Sequence, residues 1–65
     1  MQLTINGEVK DMPPGTVADL LDSLGIDAVR VAVELNRDIL PKANYGVTFL
    51  KDGDTLEIVQ FVGGG

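Results

Sequence analysis

The residues with the most evident chemical use are the last three, Gly63, Gly64 and Gly65, which follow the apolar pair Phe61-Val62. Glycine has no Cβ, so a Gly-Gly end threads extended through a channel too narrow for other residues. A carboxylate on such an arm is open to activation as an acyl-adenylate and to transfer between active sites. On this reading the chain is a substrate rather than a catalyst, with Gly65 as the covalent site and Gly63 and Gly64 as the threading residues. The plainer alternative is a frayed end or an expression scar.

What is missing supports the chemical reading. Histidine and cysteine are both absent, which removes the commonest general base, the usual activator of a serine nucleophile, thiolate metal ligands and any disulfide framework. Catalysis by the chain alone is therefore not expected, and neither a bound cofactor nor a bound metal is. Ten acidic against five basic residues give a formal charge of -5, which repels a phosphate backbone and suits a basic protein groove. Nucleic acid is not expected as a partner. No apolar run approaches the roughly 20 residues needed to cross a bilayer, and the first residues lack the order of a signal peptide. A cytoplasmic protein without membrane attachment is expected.

Two other groups invite a chemical reading. Asp52-Gly53-Asp54 could suggest Ca²⁺ or Mg²⁺, but the ligand spacing of a calcium loop does not continue into the apolar strand that follows. Asp-Gly turn chemistry explains it better. Pro14-Gly15-Thr16 could suggest an anion site, yet it lacks the glycine spacing and lysine of a phosphate loop, and reads as a helix start.

The elements that must position the tail follow from periodicity. Within 65 residues there is room for one domain. Met1, Leu3 and Ile5 alternate with polar residues as in a half-buried strand, Asn6-Gly7 supplies a type I′ hairpin turn, and Glu8, Val9 and Lys10 return. Thr16 is a candidate N-cap with Asp19 three residues on, close to a capping box. Val17, Leu20, Leu21 and Leu24 then form one apolar stripe, Asp19, Asp22 and Ser23 face water, and Gly25 suits the left-handed stop. Val29, Val31, Val33 and Leu35 alternate as a strand, and Asn36-Arg37-Asp38 turns into Ile39 and Leu40. Residues 41–46 are irregular, and Thr55 to Val62 is the final strand.

If the first and last strands pair in the sheet centre, the fold is an α+β β-grasp of ubiquitin-like type, a mixed four- to five-stranded sheet packed on one main helix. The expected division is a β-grasp domain over residues 1–62 and a flexible glycine tail over 63–65. With Leu56 and Ile58 in the core, Glu57, Val59 and Phe61 fall on the opposite face, which the helix does not cover. Val59 and Phe61 are then a candidate docking patch at the root of the tail.

"TVADLLDSLGI", "VAVELNRDILPKANY" and "DGDTLEIVQFVGGG", with the Asn6-Gly7 hairpin ahead of them, resemble the sulfur carrier proteins of thiamin biosynthesis, the ThiS family, in order and spacing along nearly the whole chain. The resemblance implies that Gly65 is adenylated with ATP by an E1-like adenylyltransferase. Sulfur from a cysteine desulfurase or sulfurtransferase then makes a thiocarboxylate, which thiazole synthase consumes. Gly64 would be the neighbour that must fit the channel, and Phe61 and Val62 the hydrophobic approach, which extends the docking patch to Val62. Two alternatives share this end. Molybdopterin-type sulfur carriers are typically longer and often carry Pro before the tail, which "IVQFVGGG" lacks; a ubiquitin-like protein modifier would instead join Gly65 to protein lysines.

Overall fold

The computed structural model describes residues 1–61. Within them the chain forms β1 (Gln2–Ile5), β2 (Glu8–Asp11), α1 (Val17–Ser23), β3 (Val31–Leu35), β4 (Asp38–Leu40) and β5 (Thr55–Gln60), with 3₁₀ turns at Ala28–Arg30 and Lys42–Asn44. The five strands lie in the order β2-β1-β5-β3-β4. β1 and β5 run parallel in the interior, and the other neighbours are antiparallel. This is the expected β-grasp, with the sheet at five strands.

Both hairpins turn on asparagine. Asn6 and Gly7 have φ of 51° and 82°, and Asn36 and Arg37 have 51° and 73°. These are the left-handed pairs that a type I′ turn requires to match strand twist. Asparagine tolerates this region; here its side chain also bonds to β5. Asn6 Oδ1 accepts from Ile58 N at 2.7 Å while its Nδ2 donates to Ile58 O at 3.1 Å. Asn36 Oδ1 accepts from Thr55 N at 2.9 Å, and its Nδ2 donates to Asp54 Oδ1 at 3.0 Å. The turn residues thus hold the last strand from both sides.

The helix starts as the sequence indicates. Thr16 Oγ1 accepts from Asp19 N at 3.2 Å and Asp19 Oδ2 accepts from Thr16 N at 3.0 Å, closing the capping box. Gly25, at φ 72°, follows the C-cap Leu24. Val17, Leu20 and Leu21 are buried in one cluster with Leu3, Ile5, Val31, Val33, Tyr45, Leu50 and Leu56, and Leu24 packs at its margin. Each such side chain contributes about 1.5–3 kcal/mol when fully removed from water.

Two boundaries differ from the sequence reading. Val29 is not the first residue of β3: Asp27 Oδ1 accepts from Val29 N at 3.0 Å and caps a 3₁₀ turn, leaving Val29 73% exposed. A local aspartate bond outweighs the alternation there. β5 ends at Gln60 rather than Val62; Val62 and the glycine tail, with the boundary proposed between them, lie outside the described residues.

Two substitutions at Asn6 separate turn strain from strand holding. Asn6→Gly keeps the left-handed backbone but removes both bonds to Ile58, and is expected to cost about 1–3 kcal/mol in urea unfolding. Asn6→Ala adds the backbone penalty and should cost about 1–2 kcal/mol more.

Candidate functional site

β5 starts at a fastened end. Asp52 Oδ1 accepts from Gln2 N, and Gly53 N donates to Gln2 O at 2.7 Å, docking this turn onto the start of β1. Gly53 has φ 90°, where other residues are strained. Asp54 is only 6% exposed, and its two oxygens accept from Lys51 N at 2.8 Å and Asn36 Nδ2 at 3.0 Å. The Asp52-Gly53-Asp54 triplet is therefore a turn whose carboxylates serve the fold. Among the described residues no group of three or more acidic side chains is placed to hold a metal.

From this start β5 carries two faces outward. Leu56 is buried and Ile58 half-buried, while Glu57, Val59 and Phe61 are exposed, as the alternation implies. Val59 stands opposite Ala32, and Glu57 opposite Glu34. Ile39 of β4, 78% exposed, stands opposite Glu34 on its other side. The uncovered face therefore mixes apolar side chains with two facing carboxylates. Neither carboxylate has an ion-pair partner among the described residues. Direct pairing of like charges works against the sheet, and a basic partner would relieve it.

Phe61 lies one residue beyond β5, yet its N–H still donates to Arg30 O at 2.9 Å, extending the ladder. Its ring lines a surface depression of about 370 Å³ with Asp27, Val29 and Arg30. Lys42 also stands beside the ring, with Nζ 5.0 Å from its centroid. Of the expected site residues, Val59 and Phe61 are at the surface, 59% and 57% exposed. Val62, Gly63, Gly64 and Gly65 lie outside the described residues. Sequence reasoning missed Ile39, Glu34 and Lys42, because their placement depends on strand register and on the course of residues 41–46.

A central parallel pair, one covering helix and a last strand set between one parallel and one antiparallel neighbour define a ubiquitin-like β-grasp protein. The ThiS family model matches residues 3–65. The chain belongs to the ThiS family.

Solved and curated relatives agree with this. The structure of the thiamine biosynthesis protein (ThiS) from Geobacter metallireducens superposes with a TM-score of 0.86 at 38% identity, covering 100% of both chains. The sulfur carrier protein ThiS of Bacillus subtilis is 47% identical over 51 residues, which is 78% of this chain and 77% of that protein. A thiazole synthase of Paramagnetospirillum magneticum is 50% identical over 66 residues, spanning 100% of this chain. The chain matches only 20% of the length of that enzyme.

Relieving the carboxylate pair gives a direct check on the outer face. Glu57→Gln should raise stability by about 0.2–1 kcal/mol in urea unfolding. A decrease would show that the two carboxylates do not repel in the folded sheet.

Proposed function

We propose that the chain is a sulfur carrier for the thiazole moiety of thiamin, with the carboxyl of Gly65 as the group that is transformed. The observation that carries this is the family match running through the glycine end, on a fold whose central strand leads to that end. The names of the Bacillus subtilis and Paramagnetospirillum magneticum relatives support the sulfur-carrying role and the choice of thiazole synthase as the consumer.

The chemistry takes place on partner enzymes. In an E1-like adenylyltransferase a carboxylate oxygen of Gly65 attacks the α-phosphorus of ATP, pyrophosphate leaves, and an acyl-adenylate results. A persulfide sulfur, supplied by a cysteine desulfurase or sulfurtransferase, then attacks the acyl carbon. A carbon–sulfur bond forms, the bond to AMP breaks, and an acyl disulfide remains. Attack by a thiol on the donor's sulfur of that disulfide releases the thiocarboxylate and leaves the donor in a new disulfide with that thiol. Thiazole synthase takes the sulfur from the thiocarboxylate.

The chain's own contribution is recognition and reach. Val59 and Phe61, with Val62, form the apolar docking patch. Glu34 and Glu57 match a basic partner surface, giving orientation and rate of encounter more than raw affinity. Gly63 and Gly64 thread the channel, where a Cβ would clash. No residue of this chain is assigned a catalytic role, and ATP and the sulfur donor are substrates of the partners.

Intact mass spectrometry of the chain incubated with ATP, the adenylyltransferase and a sulfur source tests the proposal. The expected result is the mass gain of one oxygen replaced by sulfur, absent when Gly64 and Gly65 are deleted. An unchanged mass with enzymes shown to be active on another carrier would overturn it.

A further inference from the structure

Lys42 carries a charge that the acidic surface does not use. It makes no ion pair among the described residues, although the chain has twice as many acidic as basic side chains. Its ammonium instead donates to Val31 O at 2.6 Å and to Ala28 O at 3.2 Å. It also stands 5.0 Å from the Phe61 ring centroid and 6.0 Å from that of Tyr45. A lysine ammonium has three donors and no acceptor. Two of them go to carbonyls here, and the charge faces an aromatic ring at cation–π range.

These contacts converge on one short stretch. Ala28 and Val31 flank Arg30, whose carbonyl accepts the Phe61 N–H. Lys42 therefore ties down the segment from which Phe61 hangs and also touches the Phe61 ring. Tyr45, 4% exposed, anchors the following turn in the core, and the 3₁₀ turn Lys42–Asn44 fixes the lysine backbone. A freely solvated surface lysine would satisfy none of these partners.

We infer that Lys42 is a positioning residue for the carrier end: it clasps Phe61 against the start of β3 and so sets the point from which the chain proceeds to Gly65. The inference rests on the carrier reading for its consequence, since what it positions is the group presented to the activating enzyme. The clasp itself is a property of this chain alone. Its partner is the aromatic ring, so an aliphatic residue at 61 removes the attraction while leaving apolar area for docking.

The test uses the full-length chain with Lys42→Met, which keeps a long apolar stem, Phe61→Leu, the double variant, and Lys42→Arg as the conservative rescue. The first readout is ATP–pyrophosphate exchange catalysed by the adenylyltransferase. Lys42→Met is expected to lower kcat by about 5-fold, the order of one cation–π contact, with KM for the carrier little changed. The double variant should be no worse than either single, and Lys42→Arg should recover most of the loss. The second readout needs no partner: ¹H–¹⁵N relaxation of the Val62 to Gly65 amides, expected to show larger fast motion in Lys42→Met and Phe61→Leu alike. Wild-type kcat and relaxation in Lys42→Met would overturn the inference, as would losses that simply add in the double variant. If the wild-type chain is not adenylated at all, the carrier reading fails instead, and the relaxation data alone decide the clasp.

Discussion

The structure depends on how β5 is held in the middle of the sheet. A parallel β1–β5 pair has evenly spaced but slanted bonds and cannot be closed by a tight turn, so its two partners lie some 50 residues apart in sequence. The paired register itself is short, Thr4 with Thr55 and Ile5 with Leu56. Side-chain amides add to both edges of β5: Asn6, beyond the end of β1, bonds Ile58, and Asn36, in the β3–β4 turn, bonds Thr55 on the β3 side. Asp52 and Asp54 fasten the start of the strand to Gln2, Lys51 and Asn36. Much of the polar side-chain bonding therefore serves one strand, the one that leads to the glycine end.

This economy bears on stability. A chain of 65 residues without disulfides has only a small core, and below about 70–80 residues a single core supplies only a few kcal/mol. Among the described residues ten buried apolar side chains form that core, and the capping box completes a helix of seven residues that would not persist alone. Against this, the facing pair Glu34 and Glu57 and the exposed apolar residues Ile39 and Val59 do not help the isolated chain. They share the face of the sheet that the helix does not cover.

The root of the tail shows the same division of labour at shorter range. Phe61 is past the strand but still in its ladder, and it is bordered by the 3₁₀ turn at Ala28–Arg30 and by Lys42, which is bonded to that turn. Rigid structure is thereby carried as far as the last aromatic residue before the glycines.

Local chemistry made a large part of this legible in the sequence. Asn6-Gly7, Thr16 with Asp19, Gly25 and Asp52-Gly53 each specify a backbone conformation through their own side chain or its absence, and each forms as the sequence indicates. The helix stripe and the alternation in β1, β3 and β5 are likewise local periodicities, and the glycine end and its family resemblance are read directly from residue order. What only the tertiary structure decided is pairing. That Glu34 opposes Glu57, that Asn36 reaches Asp54 and that Lys42 meets Phe61 all join residues whose sequence neighbourhoods carry no trace of one another. Register and loop course are set by the packing of the whole chain, because a hydrogen bond between distant residues is specified only once the core that brings them together has formed.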